Sequence, residues 1–370
     1  MLISKLCHEY GVKPNELRQV RALAKLSREM QDALSGDRVN YDEFFARSRQ
    51  LVTGTCVGIG QRHIGIHENI YDWVIIDEAA RSIASELAIA LQSSKRVLLV
   101  GDHLQLPPLY SDSHKEALAR RLGINSSRTS IDEVLRSDFA RAFNSEYGKQ
   151  ASAALLTQYR MAPPIGNLVS EIFYEGKLEN GDRVIPNIYS KAPEALQSPV
   201  TWLDTSILGN KAHHLEDRGI SIYNRCEADL IISLLKNLDQ NIELIAELRE
   251  LTSENEAAIG VICMYAEQKR ILRQKFTQEA WGEGFSDMVK IDTVDSYQGK
   301  ENRIIILSLT RSDKRARPGF LRAPNRINVA MSRAMDRLLI VGNAQMWKGN
   351  NSKLPLGRVV GFMGDHGGKA

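Results

Sequence analysis

The chain has 370 residues, of which 43% are hydrophobic and 25% are charged, an ordinary balance for a soluble globular protein. No apolar run approaches the roughly 20 residues that span a bilayer, and the first residues lack the apolar core of a signal peptide, so the sequence predicts a cytoplasmic protein, or a nuclear one in a eukaryote, without a membrane partner. Four cysteines without a CxxC pair argue against a disulfide framework and a cysteine zinc site.

Charge is distributed unevenly along the chain. Residues 256–370 contain 19 Lys and Arg against 11 Asp and Glu, whereas the preceding residues contain 29 against 34. A basic part of this kind is compatible with a nucleic-acid backbone as partner, and a solvated basic surface explains the asymmetry equally well.

Two helical patterns come first, over residues 14–35 and 41–49, and predict a helical stalk within residues 1–50. From residue 51 the pattern changes to short apolar runs separated by helical segments. The runs are LVTGTCVG at 51, WVIID at 73, VLLVGD at 97, AALLTQY at 153, VTWLD at 200, IGVICMY at 259, RIIILSLT at 303 and LLIVGN at 338. Continuous hydrophobicity indicates strands buried on both faces, so the sequence predicts an α/β fold with a parallel sheet covered by helices.

The length favours two domains rather than one. We expect a first domain over residues 51–154 and a second over residues 155–347, with a tail over residues 348–370 whose glycine-rich end is disordered. Within the second domain, Asn224 followed by Glu227 is typical of a capping box, which we interpret as structural only.

Two adjacent carboxylates, Asp77 and Glu78, follow the apolar run WVII. A carboxylate is a hard oxygen ligand for Mg²⁺, and phosphoryl transfer needs both the metal and a group that positions the attacking water. The alternative is a surface acidic pair that opens a helix, where the helix dipole favours negative charge. Taken alone, the motif supports the two interpretations about equally.

The segment GDHLQLPP forms a second loop at a strand end. In it, the amide of Gln105 can donate to a phosphate oxygen and orient water, while Pro107 and Pro108 stiffen the loop. An ordinary turn between strand and helix is the alternative, which the pairing with DEAA disfavours.

Two arginines are candidates because of the motifs that contain them, Arg160 in QYRM and Arg333 in NVAMSRA. A planar guanidinium makes bidentate contacts to phosphate and can neutralise the charge that develops during phosphoryl transfer. A single arginine taken alone is more often a solvated surface group.

The segment TVDSYQGKE combines a glycine with several polar groups. Gly299 allows close approach of the backbone to a ligand, and Glu301 can accept from a ribose hydroxyl or from a guanidinium. Thr293 and Ser296 can donate to nucleic-acid phosphates.

The phosphate loop GxxxxGK followed by Ser or Thr is not found in these 370 residues. The Gly-Lys dipeptides end at residues 149, 177, 300 and 369, and Gln, Leu, Glu and Ala follow them, so none matches the motif. We therefore expect no loop of this type to hold the β and γ phosphates within this chain.

The five motifs DEAA, GDHLQLPP, QYRM, TVDSYQGKE and NVAMSRA, in this order, resemble superfamily 1 helicases over roughly residues 50–347, in the branch of the nonsense-mediated-decay helicase and related DNA replication and repair helicases. The resemblance implies two RecA-like domains, the first incomplete at its N-terminus, with ATP and Mg²⁺ in the cleft between them. It also implies single-stranded DNA or RNA bound across both domains.

The resemblance further implies a role for each motif residue. Asp77 would hold Mg²⁺, Glu78 would be the catalytic base, Gln105 would sense the γ-phosphate, and Arg160 and Arg333 would be arginine fingers. The implied nucleotide contacts are Gln158, Tyr159, Gln268, Gly299 and Glu301. The implied nucleic-acid contacts are Thr55, Pro108, Thr293 and Ser296.

Two hypotheses follow. In the first, the chain is the carboxyl-terminal portion of an ATP-dependent helicase or translocase that is poorly active alone and needs an N-terminal fragment carrying the phosphate loop. In the second, it is a non-catalytic nucleic-acid-binding or regulatory remnant, because loss of the loop removes most groups that bind a triphosphate. A nuclease that uses Asp77 and Glu78 is disfavoured, because no further carboxylate or Lys at nuclease spacing accompanies them.

Overall fold

The computed structural model describes residues 5, 8–11, 13, 16–35, 41–123, 137–217, 221–254, 256–297 and 299–365. The chain divides into two compact units. The first contains residues 1–103 and 107–150, and the second contains residues 104–106 and 151–370. The division falls after residue 150, whereas the sequence predicts a joint near residue 155, and three residues of the GDHLQLPP segment belong to the second unit.

The first unit is mainly helical around two short strands. Its elements are α1 (Leu17–Ser35), α2 (Tyr41–Ser48), α3 (Cys56–Ile59), β1 (Val74–Ile76), α4 (Ala84–Leu91), β2 (Val97–Leu99), α5 (Asp112–Leu122), α6 (Asp138–Asn144) and α7 (Glu146–Ala151), the last of which ends just past the division. Strands β1 and β2 are parallel, with Val74 opposite Val97 and Ile76 opposite Leu99.

The two stalk helices agree with the sequence prediction to within a few residues. Helix α1 begins at Leu17, and Pro14, where the prediction begins, lies outside the described residues. The strand predicted at LVTGTCVG is wrong, because this segment forms a loop followed by α3. The Thr55 hydroxyl accepts from the Gly58 amide at 3.0 Å, and the Ile59 amide donates to the Thr55 carbonyl at 2.9 Å. A helix cap therefore overrides the apolar run.

The apolar core of the first unit is small. It consists of Ile76, Ala79, Ala80, Leu87, Ala90 and Phe139. Ile75 in β1 is 65% exposed and Leu98 in β2 is 47% exposed, so burial on both faces, which the continuous runs predict, is wrong for these two strands. Side chains alternate between the faces of a strand, and in the described residues a single apolar cluster covers one face.

The second unit contains a larger set of strands and helices. Its elements are β3 (Thr157–Gln158), α8 (Pro163–Phe173), β4 (Glu179–Asn180), α9 (Glu194–Gln197), β5 (Val200–Asp204), β6 (Leu215–Asp217), β7 (Ser221–Tyr223), α10 (Arg225–Asp239), α11 (Ile242–Glu250), β8 (Ile259–Cys263), α12 (Ala266–Thr277), β9 (Val289–Thr293), β10 (Asn302–Ser308), α13 (Pro324–Met331), β11 (Ala334–Gly342) and α14 (Pro355–Asp365). The run AALLTQY contributes only its two residues in β3 to a strand, so its predicted length is wrong.

Five parallel strands form the main sheet of the second unit, in the order β5-β11-β10-β8-β9. Ile305 and Leu307 of the central strand β10 belong to one buried apolar cluster, and Ile304 and Ile306 belong to another. The sheet is therefore covered on both faces, which confirms the predicted α/β fold with a parallel sheet. Within the described residues, no helix is long and apolar enough to cross a membrane.

The glycine-rich end of the chain is partly helical rather than disordered. Helix α14 includes residues 361–365 and buries Leu356, Val359 and Met363 against the core of the second unit. These residues are three, four and seven positions apart, so they lie on one face of the helix. Burial of this apolar face stabilises the helix despite its glycines. The remaining residues 366–370 lie outside the described part.

Candidate functional site

The turn after β1 presents the two predicted carboxylates. Asp77 and Glu78 are both exposed, and Glu78 has a φ of 53°, in the left-handed region that residues other than glycine rarely adopt. The Asp77 carboxylate accepts from the Glu78 amide at 2.9 Å. The next helix begins only at Ala84, so the alternative of an acidic pair that opens a helix is wrong.

Close packing against the first residue of GDHLQLPP fixes this turn within the first unit. The Ala79 amide donates to the Val100 carbonyl at 2.9 Å. A Cβ atom at Gly101 would lie 2.9 Å from the Ala80 nitrogen, so only glycine fits here. The Ser137 hydroxyl donates to the Ala80 carbonyl at 2.9 Å. Contacts with Val100, Gly101 and Ser137 therefore hold the strained turn that carries Asp77 and Glu78.

The donor set at this turn suits Mg²⁺ bound with a phosphate ligand. No cluster of three or more His, Cys, Asp or Glu side chains able to hold a metal occurs in the described part of the chain. Mg²⁺ commonly takes one or two protein carboxylates and completes its shell with water and substrate phosphates. Exposed Asp77 fits that requirement.

Gln158 shapes the QYRM turn from within. Its amide nitrogen donates to the Met161 carbonyl at 2.9 Å and to Asn180 Oδ1 at 2.7 Å. Its Oε1 accepts from the amides of Arg160 at 2.9 Å and Met161 at 2.7 Å. The nucleotide contact predicted for Gln158 is thus replaced by a structural role, while the neighbouring Tyr159 ring is 67% exposed.

We expect Gln158→Ala to lower the free energy of unfolding of the second unit by about 1 to 3 kcal/mol, because two backbone amides and one carbonyl lose their partner. Urea unfolding followed by circular dichroism measures this loss. Gln197→Ala is the matched control, since Gln197 donates a single bond, to the Ala192 carbonyl at 3.1 Å. An equal effect of the two substitutions would contradict the proposed role of Gln158.

Arg160 and Glu301, from two separate motifs, form an ion pair in the second unit. Arg160 also donates to the Ser332 carbonyl at 3.4 Å. The Glu301 carboxylate therefore adopts the second of its two predicted roles, as acceptor from a guanidinium. Both side chains keep more than a third of their surface exposed, at 35% for Arg160 and 39% for Glu301, and can still reach a ligand.

Arg333 and Gln105 are brought together, as Arg333 Nη2 donates to Gln105 Oε1 at 3.2 Å. Arg333 is only 2% exposed and donates further to the carbonyls of Val329 at 3.2 Å and Lys300 at 3.4 Å. These bonds fix the direction of the guanidinium.

Two asparagines that the sequence analysis did not single out hold the segment around Gln105. Asn325 donates to the Gln105 carbonyl at 2.6 Å, and Asn328 donates to the Leu104 carbonyl at 3.1 Å. Both asparagines lie on α13, whose residues include the start of the NVAMSRA motif. Asn325 and Asn328 are three residues apart on α13, which places them on one face of the helix, and this spacing is the sequence signal for them.

Gln268 lies inside the second unit, with no exposed surface. Its Oε1 accepts from the Asn224 amide at 2.7 Å, and its Nε2 donates to the Asn224 carbonyl at 3.2 Å and to the Ser308 hydroxyl at 3.0 Å. The nucleotide contact predicted for Gln268 is therefore corrected to a structural role, in which it joins α10, α12 and β10.

The predicted nucleic-acid contacts differ in exposure. Pro108 is buried, so its side chain is not presented to a strand, which corrects that prediction. Thr55 is exposed while it caps α3. Thr293 and Ser296 lie at the carboxyl end of β9, with their hydroxyls 3.3 Å apart. Gly299 is exposed and has a φ of 75°, which favours glycine.

Comparison with known proteins identifies the relatives of this chain. Profiles described as AAA domain match residues 5–112 and 134–345. Helicase sen1 of Schizosaccharomyces pombe is 28% identical over 82% of this chain and 16% of its own length. The regulator of nonsense transcripts 1 homolog of Neurospora crassa is 29% identical over 89% of this chain and 28% of its own length. The mouse (Mus musculus) DNA replication ATP-dependent helicase/nuclease DNA2 is 31% identical over 81% of this chain and 27% of its own length. The chain thus spans less than a third of the length of each of these relatives.

Proposed function

Because the chain belongs to the AAA domain family, in the superfamily 1 helicase branch of the nonsense-mediated-decay and DNA replication helicases, we propose that it serves ATP-dependent movement on single-stranded DNA or RNA. The observation that carries this proposal is the bond between Arg333 and Gln105. A guanidinium and an amide from two of the family's motifs, far apart in sequence, meet at 3.2 Å.

The motif residues have different roles in the proposed reaction. In the first unit, Glu78 orients and deprotonates the attacking water, and Asp77 holds Mg²⁺. Mg²⁺ held there would supply positive charge to the phosphate oxygens. In the second unit, Arg160 and Arg333 neutralise charge on the transferred phosphoryl group, and Gln105, oriented by Arg333, donates to it.

Preorganisation supports these roles. The φ of 53° at Glu78 is strained, and strain of this type persists where the surrounding structure enforces it and is concentrated at functional sites. Arg333 is buried and held by backbone carbonyls, so its charge is already oriented before a ligand binds. A surface arginine without these bonds would lose side-chain entropy on binding.

We further propose that the 370 residues bind a triphosphate weakly on their own, since they contain no GxxxxGK[ST] loop. A phosphate loop supplied by another polypeptide segment would complete the site. The same absence favours the second candidate function, a nucleic-acid-binding or regulatory protein without turnover.

We expect little or no ATP hydrolysis by the 370-residue chain, in a phosphate-release assay with single-stranded DNA or RNA present. Addition of a segment that carries the phosphate loop and folds with the chain should raise hydrolysis, and Glu78→Gln in that complex should lower it about a hundredfold or more. Arg81→Gln, a charge change close to Glu78 in sequence, serves as the control. Hydrolysis that does not respond to Glu78→Gln would contradict the catalytic role of Glu78.

A further inference from the structure

The connection between β10 and α13, residues 309–323, is strongly basic, and we name it the basic loop. It contains five Lys and Arg residues and one Asp. It follows the carboxyl end of β10, whereas Thr293 is the last residue of β9 in the same parallel sheet and Ser296 follows that strand. The carboxyl ends of parallel strands lie at one edge of a sheet, so the basic loop and these hydroxyls share that edge.

Three cations of the basic loop are exposed and lack a counter-charge. Lys314, Arg315 and Arg322 are exposed, and none of them forms an ion pair with a residue in the described ranges. The single acidic residue, Asp313, pairs with Arg317 at 3.0 Å. An excess of unpaired positive charge therefore remains on the loop surface, which favours an anionic partner.

The first half of the basic loop is fixed at two points. The Ser312 amide donates to His214 Nδ1 at 3.1 Å, and Asn343 donates to the Ser312 hydroxyl at 2.9 Å. Asn351 donates to the Ala316 carbonyl at 2.8 Å, where Ala316 has a φ of 47°. A loop held in this strained form positions its cations in advance, so binding of a partner costs less conformational entropy.

Phe320 of the basic loop packs against Tyr265. The rings of Tyr265 and Phe320 lie 4.4 Å apart between centroids. The Arg311 guanidinium lies 5.7 Å from the Tyr265 ring and donates to its hydroxyl at 2.7 Å. Arg326 lies 5.2 Å from the Phe320 ring. These two arginines are used to hold the loop, which leaves Lys314, Arg315 and Arg322 for a partner.

We propose that the basic loop is a nucleic-acid-binding element that contacts the phosphates of a single strand through Lys314, Arg315 and Arg322. This inference rests on the proposed function, since it assumes that single-stranded nucleic acid is the partner, and adds a set of contacts to it. The contacts are electrostatic and carry no base information, so they set affinity and its salt dependence rather than sequence preference.

The test compares the 370-residue chain with a triple variant, Lys314→Gln, Arg315→Gln and Arg322→Gln. Fluorescence anisotropy measures binding to a labelled single-stranded oligothymidine over a series of salt concentrations. Each lost phosphate contact lowers the slope of log K against log salt by about 0.7 for a single strand, so we expect the slope to fall by roughly 2. Circular dichroism and the urea midpoint check that the variant is folded.

A matched control removes three positive charges elsewhere in the same unit. Lys177, Lys191 and Lys236 are exposed and each pairs with a surface carboxylate, so their replacement by Gln changes net charge equally and leaves the basic loop intact. We expect this control to retain most of the original slope. Equal slopes for the two triple variants would overturn the proposal.

The outcomes for the basic loop and for the proposed function are distinguishable. Failure of the unsubstituted chain to bind any single strand, DNA or RNA, would count against nucleic acid as the partner and so against both. Binding that is normal in the chain and unchanged in the basic-loop variant would count against the loop alone, and would leave Thr293 and Ser296 as the candidate contacts.

Discussion

Asp336→Asn is expected to lower the free energy of unfolding of the second unit by about 3 to 5 kcal/mol. The Asp336 side chain has no exposed surface, and its carboxylate pairs with Arg183 and with Arg303 at 3.1 Å. Tyr189 donates to the same carboxylate at 2.9 Å. Removal of the negative charge leaves two guanidinium groups, 12% and 16% exposed, without their counter-charge in a poorly solvated site.

Two further substitutions separate the effect of losing the buried charge from the effects of losing one hydrogen bond or one exposed ion pair. Tyr189→Phe removes one hydrogen bond to Asp336 and is expected to cost about 0.5 to 1.5 kcal/mol. Glu243→Gln removes an exposed ion pair with Lys191 and is expected to change stability little, because solvent screens it. Urea unfolding of all three variants is the measurement. A cost for Asp336→Asn no greater than that for Glu243→Gln would show that the buried network is not stabilising.

Most of the sheet of the second unit was predictable because its central strands are almost completely buried. Ile304 to Leu307 form an uninterrupted apolar run, and their burial on both faces is the reason for it. Strand β9 was not predicted, because it lies at the sheet edge and alternates apolar residues with Lys290 and Asp292. The same alternation discourages pairing of this edge with other chains.

The first unit shows the limit of an argument from apolar runs. The run at residue 51 contains a capping threonine and several glycines, and these local preferences gave a helix instead of a strand. The runs at β1 and β2 do form strands, but one face of each remains partly exposed. The hydrophobicity of a segment shows that it can be buried. Whether it is buried depends on the elements that pack against it.

Residue type predicted which side chains have the right chemistry, but not their direction. An amide can face a ligand or satisfy the backbone equally well, so Gln158 and Gln268 could not be assigned from sequence. The exposure of Asp77 and Glu78 was easier to predict, because a charged carboxylate is costly inside a core and is therefore expected at the surface. That Arg333 contacts Gln105 depends on the fold alone, since 228 residues separate them.

The surroundings of Glu227 disfavour the ionised form of its carboxyl group. The residue is fully buried, and burial raises the pKa of its carboxyl group to about 8, although hydrogen bonds from Ser308 and Thr310 act in the opposite direction. The Ser308 hydroxyl and the Thr310 amide each donate to Oε2 at 2.7 Å, and Asn224 donates to Oε1 at 3.2 Å. Only half of the capping box predicted from Asn224 and Glu227 is present: Asn224 Oδ1 accepts from the Glu227 amide at 3.1 Å, whereas the Asn224 amide donates to Gln268. The Glu227 carboxyl group instead joins α10 to the end of β10.

This raised pKa gives stability a definite dependence on pH. In the unfolded chain the carboxyl group titrates near its ordinary value of 4.5, whereas in the folded chain it keeps its proton up to about pH 8. Between these values the folded state binds more protons, so its stability is highest at low pH and falls as pH rises. The slope is about 1.4 kcal/mol per pH unit over this window, and it flattens above pH 8.

Glu227→Gln should remove this dependence, because an amide does not titrate. The Gln carbonyl oxygen can still accept from Ser308 and Thr310, while the bond to Asn224 is lost, so we expect the variant to be slightly less stable than the parent near pH 5. Cys263, buried nearby, does not titrate in this range because burial raises the pKa of its thiol.

Unfolding in urea at pH 5, 6, 7 and 8 gives the difference in stability between variant and parent, in which the contributions of other groups cancel. That difference should move in favour of Gln by up to several kcal/mol as pH rises. A difference that is the same at all four values would mean that Glu227 is ionised in the folded protein, with its three hydrogen bonds outweighing the cost of burying its charge.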